Sequence, residues 1–178
     1  MLGRRDFLRA LSASITLVLP STASHAQVGS AQREPYVLDM QRGSHRYQLD
    51  ITTPHGYNAA AWLLRDVQAD FVGLPNIDTL RLLAWAQAYI AAHGRHTVFI
   101  ATSGARLLST NSHIEGAAQN SLHIPDIRRE FTAVDLSPDN LDLTILGEVM
   151  KLPRFGGVGL YKTHVHVDRG RYATWQRG

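Results

Sequence analysis

The sequence contains no cysteine, and that absence closes off several kinds of chemistry. Disulfides, thiolate metal sites and cysteine nucleophiles are excluded, as is a lipid-anchoring cysteine. Any metal ion held by this chain must rest on His, Asp and Glu. Lysine is scarce: Lys151 and Lys162 are the only two. There is no dense basic block, so the chain lacks a nucleic-acid footprint. Even the formal net charge of +3 deflates, because Arg4, Arg5 and Arg9 against Asp6 supply +2 of it and leave about +1 for the remainder. The apolar stretch over residues 8–19 falls short of the roughly 20 residues that span a bilayer. Repeats and low-complexity segments are missing too. What remains, 178 residues with 44% hydrophobic and 19% charged, suits one globular domain with its own core.

The first 26 residues read as an export signal. Arg4-Arg5-Asp6-Phe7-Leu8 is a twin-arginine pattern, Pro20 breaks the apolar stretch, and Ala23-Ser24-His25-Ala26 offers a small-residue cleavage site before Gln27. The expectation is a periplasmic protein with no stable membrane insertion once the signal is removed. The twin-arginine route usually carries folded proteins, which fits a domain that loads a metal early. Residues 27–58 then form a polar leader and a hairpin, and residues 59–178 the main domain.

Residues 36–40 and 46–51 flank a Gln-Arg-Gly-Ser turn as a β-hairpin. Pro54, Gly56 and Asn58 punctuate a turn, and residues 59–70 become helical. Asn76 caps the clearest helix, with Leu80, Leu83, Ala84, Ala86, Ile90 and Ala91 on its apolar face and Gly94 just beyond it. Residues 97–101 and 131–136 read as strands, residues 111–120 as a loop, and residues 141–152 as a third helix. Residues 156–161 and 163–168 pair as a hairpin, and a last turn over 170–175 closes the chain. Strands, helices, then strands predict a single α+β domain with an antiparallel sheet flanked by helices.

The final hairpin carries the chemistry. Strand residues alternate faces, so His164, His166 and Asp168 share one face while Val165 and Val167 share the other. The valines suit a core; two imidazoles and a carboxylate make an unusual front. Catalytic zinc sites keep three protein ligands and a water, so a distant ligand is needed, and His123 and Asp135 are candidates.

Four stretches form an ordered set: Ser103-Gly104-Ala105-Arg106, Ser121-Leu122-His123, Ala133-Val134-Asp135, and residues 156–161 (Gly-Gly-Val-Gly-Leu-Tyr) running into His166, Asp168, Gly170 and Trp175. Together they resemble the M15-type zinc peptidases, specifically the exported group that trims peptidoglycan peptides, with the zinc site and fold shared by hedgehog domains and D-Ala-D-Ala carboxypeptidases. The resemblance implies one zinc ion per chain on His123, Asp135 and His166, with a fourth position left to water. It places His164 beside the metal, and Arg106, with Ser121, on the substrate, the arginine holding a carboxylate. It implies a murein endopeptidase acting on peptidoglycan peptides, compatible with wall remodelling or with opening the wall for a cell-envelope machine.

Three departures stand out. The family pattern usually separates its first two ligands by six residues, whereas eleven lie between His123 and Asp135, and Glu130 sits at the usual spacing. Asp135 is favoured by its apolar strand frame, with Glu130 as the alternative. Ala105 stands where an aromatic is common, and Thr163 where relatives carry an acidic general base. His164 is then the nearest base, with Glu130 a further option, while Asp168 would orient a histidine from behind. Such departures also feed a competing reading, a wall-binding module that keeps the metal without efficient catalysis.

Overall fold

A computed structural model describes residues 36–177. The export-signal and leader readings of residues 1–35 lie outside the described residues. Strands β1 (Val37–Arg42) and β2 (His45–Asp50) form the expected antiparallel hairpin. Helix α1 spans Pro54–Leu63 rather than residues 59–70. Pro54 and Gly56, read as turn residues, in fact open it: Thr53 Oγ1 accepts from the Gly56 N–H at 3.0 Å, and proline at the first helical position is already set for the helix. Beyond α1, Asp66 bends the chain into a turn, its carboxylate accepting backbone N–H groups of Gln68, Ala69 and Leu107.

Helix α2 (Ile77–Ala92) starts where expected, Asn76 Oδ1 accepting from the N–H groups of Asp78 and Thr79. Its Leu80, Leu83, Ala84, Ala86 and Ile90 are buried. Strand β3 (Leu74–Pro75) pairs with β5 (Glu130–Phe131) in a separate two-stranded sheet. Strand β4 (Phe99–Ser103) leads into α3 (Leu108–Ser112), a short helix that reaches into the stretch read as loop. Strand β6 (Ala133–Pro138), helix α4 (Leu143–Lys151), and strands β7 (Gly157–Leu160) and β8 (Val165–Asp168) follow. Residues read as a closing turn contain a further strand, β9 (Ala173–Gln176).

The main sheet runs β2-β1-β4-β6-β8-β7-β9. The expected α+β class stands, but the sheet is mixed rather than antiparallel: β1 pairs with β4, and β7 with β9, in parallel. Parallel neighbours need a crossover connection, and α1 and α2 lie in the chain between β1 and β4. Helices α2 and α4 pack against the sheet and each other. Val134, Leu136, Val165 and Val167 are fully buried, so the valine face of β8 belongs to the core. The opposite face is left for the histidines.

Candidate metal centre

Strands β7 and β8 are joined by residues 161–164, with Lys162 and Thr163 at the tip, and their register sets Gly159 opposite His166 and Leu160 opposite Val165. One step further, the Tyr161 N–H donates to the His164 carbonyl at 2.9 Å. Two sequence patterns of period two therefore confront each other on the open face. Asp168, His166 and His164 stand on β8 and its extension; Gly157, Gly159 and Tyr161 stand opposite. Gly157 leaves room for the Asp168 carboxylate, since a Cβ there would lie 2.4 Å from Asp168 Oδ2, and its N–H donates to Asp168 Oδ1 at 3.0 Å. Gly159 leaves room for the Trp175 indole, which a Cβ would meet at 2.5 Å.

The same register runs across the sheet. Ser103 lies opposite Asp135 beside an irregularity in β4, Asp135 opposite His166, and Gly159 opposite both His166 and Trp175. Irregularities of this kind commonly redirect a strand next to a functional site. His123 arrives from a loop whose Leu122 carbonyl accepts from the N–H groups of Thr132 and Ala133. His123 Nε2 lies 3.3 Å from His166 Nδ1 and 3.3 Å from Asp135 Oδ1. His166 Nδ1 lies 2.7 Å from Asp135 Oδ1. These three residues can hold a metal ion.

The donor set fits zinc. At zinc–nitrogen distances of about 2.0–2.1 Å, tetrahedral ligand atoms stand about 3.3 Å apart, the spacing of His123 Nε2 from its two neighbours. His166 Nδ1 and Asp135 Oδ1, hydrogen-bonded at 2.7 Å, would part slightly to admit the ion. The outer nitrogens are occupied as metal-ligating histidines require. His123 Nδ1–H donates to the Gly104 carbonyl at 2.7 Å, and His166 Nε2–H to Asp168 Oδ2 at 3.0 Å. With those tautomers set and His166 Nδ1 free of its proton, two imidazole lone pairs and a carboxylate oxygen face one another, a donor set that could hold a cation.

Electrostatics describe the metal-free site. Burial disfavours charge on Asp135, yet its close contacts with the two imidazoles, above all the hydrogen bond from His166, hold its carboxyl below the usual range. Burial keeps His123 neutral. Burial opposes the charge on His166 as well, but Asp135 and Asp168 prevail and push its pKa up to about 9. Without metal, then, a proton occupies His166 Nδ1. Because the folded value exceeds the ordinary one, the associated stability is fully present below about pH 6.5 and is lost as pH rises through about 9. Denaturation of the metal-free protein should show a loss of about 3 kcal/mol between pH 6 and 10. Metal binding should move the opposite way, strengthening about tenfold per pH unit from 6.5 to 8 as one proton is released; calorimetry in buffers of different ionisation enthalpy counts that proton.

The other residues singled out in the sequence are placed as follows. His164 lies outside the cluster but close to it, with Nε2 3.9 Å from Asp135 Oδ1 and Nδ1 3.1 Å from Thr163 Oγ1. Arg106 lines the same cleft, its Nη2 3.9 Å from Asp135 Oδ2 and its buried Nε without a hydrogen-bond partner. Ser121 also lines the cleft, while its Oγ accepts from the His123 N–H at 3.4 Å. Glu130 is not brought in: it is exposed on β5 and accepts from Asn76 Nδ2 at 2.7 Å. The longer spacing between His123 and Asp135 is taken up by a loop around Asp126, whose Oδ1 accepts from the N–H groups of Arg128 and Glu130. Asp168 supports His166 from behind while holding Gly157 and Gly170. Its replacement by Asn should weaken metal affinity about 10- to 100-fold without loss of fold, read by competition with a chelator.

Trp175 and Asp66 carry more than the sequence assigned them. The Trp175 ring stands 5.4 Å from the His166 ring. Buried Asp66 fixes the Leu107 N–H next to Arg106. Together these residues border a cleft of about 1080 Å³ with Arg106, Lys162 and Arg177 among its cationic lining, room for a stretch of peptide.

Comparison with protein families finds that the model described as Peptidase M15 matches residues 55–168, more than half of the chain. No curated protein matches the sequence, and no solved structure does.

Proposed function

The chain belongs to the peptidase M15 family, and from that premise we propose that it is a periplasmic zinc peptidase hydrolysing amide bonds in peptidoglycan peptides, as an endopeptidase at crosslinks. The observation that carries this reading is the convergence of His123, Asp135 and His166 beside Arg106 in one cleft. Bound there, zinc would polarise the scissile carbonyl and lower the pKa of its water to about 7.

The chain's own residues supply the rest. Burial lowers the His164 pKa, so the ring is neutral at neutral pH. With Nδ1–H given to Thr163 Oγ1, the lone pair rests on Nε2, where a proton can be taken up and passed on. This accounts for a site in which Thr163 replaces an acidic side chain. Arg106 retains a buried, unsatisfied N–H, and its planar fork suits the free carboxylates of peptidoglycan peptides. Lys162 and Arg177 extend the positive lining. The twin-arginine pattern of residues 1–26 supports export to the compartment where that polymer lies.

The test is incubation of the zinc-loaded protein with purified sacculi. Soluble muropeptides should appear, cease with a chelator and return with zinc. Protein that pellets with the sacculi and releases nothing would instead identify a wall-binding module.

A further inference from the structure

Tyr161 occupies a position that neither the metal set nor the substrate arginine accounts for. Its ring stacks on His164, with centroids 4.4 Å apart and planes 12° from parallel. Its backbone N–H closes the β7–β8 turn on the His164 carbonyl. Its hydroxyl oxygen accepts from Trp175 Nε1 at 3.1 Å. The ring is thereby held at the strand end, by its neighbour's face and by its own oxygen. A phenol both accepts and donates. With the indole N–H satisfied at the oxygen, the tyrosine's proton remains unspent, and among the described residues it has no acceptor. That hydroxyl borders the cleft and lies within electrostatic reach of the Arg106 guanidinium.

We propose that Tyr161 is a further catalytic residue, its hydroxyl donating a hydrogen bond to the carbonyl oxygen of the scissile amide. The proposal rests on the peptidase reading above. As water adds to the carbonyl carbon, the π electron pair moves onto that oxygen. The pair returns when the carbon–nitrogen bond breaks and the amine leaves with a proton. Charge on the oxygen is largest between the two events, so a donor fixed in advance stabilises the transition state more than the bound substrate. Trp175 acts through Tyr161 as a positioning residue, orienting the phenol, and Gly159 is what lets the indole lie there.

The experiment compares wild type, Tyr161→Phe and Trp175→Phe on sacculi and on a purified crosslinked muropeptide. Phenylalanine keeps the stack on His164 and removes only the oxygen. In Tyr161→Phe, kcat should fall about 100-fold, with KM within about twofold, zinc content and melting temperature unchanged, and the pH–rate profile keeping its shape. Trp175→Phe should lose about tenfold in kcat in the same manner. Wild-type turnover in Tyr161→Phe, or a loss confined to KM, overturns the proposal. So does a loss accompanied by lower zinc content or a shifted acid limb, which would make the tyrosine a support for His164 or the metal. If wild type itself releases nothing from sacculi, the peptidase reading falls first and this proposal with it, a result distinct from a wild type that cuts beside an equally active variant.

Discussion

His166→Ala should leave the purified protein with no bound zinc, against about one per chain in the wild type, and no measurable peptidase activity. Three atoms converge on the metal position, and His166 Nδ1 makes the shortest contact among them, 2.7 Å to Asp135 Oδ1. Two remaining donors are too few for a site that binds through three protein ligands. The substitution also strips Asp135 of its closest partner and Asp168 of the ring it holds, leaving carboxylates that are 8% and 5% exposed. Removing one member of a buried charged network costs about 3–5 kcal/mol. The metal-free variant should therefore unfold more readily than metal-free wild type at pH 6, and the difference should shrink toward pH 10, where wild-type His166 has lost its proton too. Metal analysis and denaturant melts at the two pH values check both halves. Zinc retained at wild-type stoichiometry would mean that the centre lies elsewhere.

The second large effect is expected at a residue that bears no side chain. Gly104 follows β4, where the chain passes against Leu64: a Cβ on Gly104 would stand 2.2 Å from the Leu64 carbonyl oxygen. That oxygen also accepts from the Ala105 N–H at 2.7 Å, so the clash is with backbone already tied in place. Gly104 supplies the carbonyl that sets the His123 tautomer, and the next residue but one is Arg106, whose N–H bonds the His123 carbonyl. Gly104→Ala should cost about 3 kcal/mol and lower the melting temperature by roughly 10 °C. Zinc affinity should fall at temperatures where the variant is still folded, because His123 moves with the displaced strand end. A variant that melts normally but binds zinc weakly would confine the effect to the tautomer; one that both melts and binds zinc as wild type does would show that Leu64 yields.

Much of the centre could be read from period-two alternation in β8. His164, His166 and Asp168 facing away from Val165 and Val167 is a local consequence of extended backbone, and the structure has them so. Asp135 stood in an apolar frame, Ala133, Val134 and Leu136, all of which are buried. Its competitor Glu130 was equal by chemistry, and only the loop around Asp126, an internally hydrogen-bonded detour invisible to spacing rules, takes it away from the site. The parallel partners of β1 and β7 were out of reach because pairing between distant strands depends on connections rather than on either strand's residues. Strand β9 is short and lies at the sheet edge, with little apolar pattern to betray it. For Tyr161 the signal was present: Gly-x-Gly-x-Tyr and His-x-His-x-Asp flank a two-residue turn with matching period, which already sets them face to face.

That confrontation makes the hairpin an all-or-none device. Lys162 and Thr163 are the whole connection between two columns of side chains. Slipping β8 by a single residue against its neighbours would not blunt the centre by degrees. It would send His164, His166 and Asp168 into the oily interior and bring Val165 and Val167 out to face Trp175. Point substitutions can tune such a centre through its neighbours, but changes in chain length here can only keep or discard it. Among relatives of this protein, variation in length should therefore gather where the chain has slack, as between His123 and Asp135, and spare the β7–β8 turn.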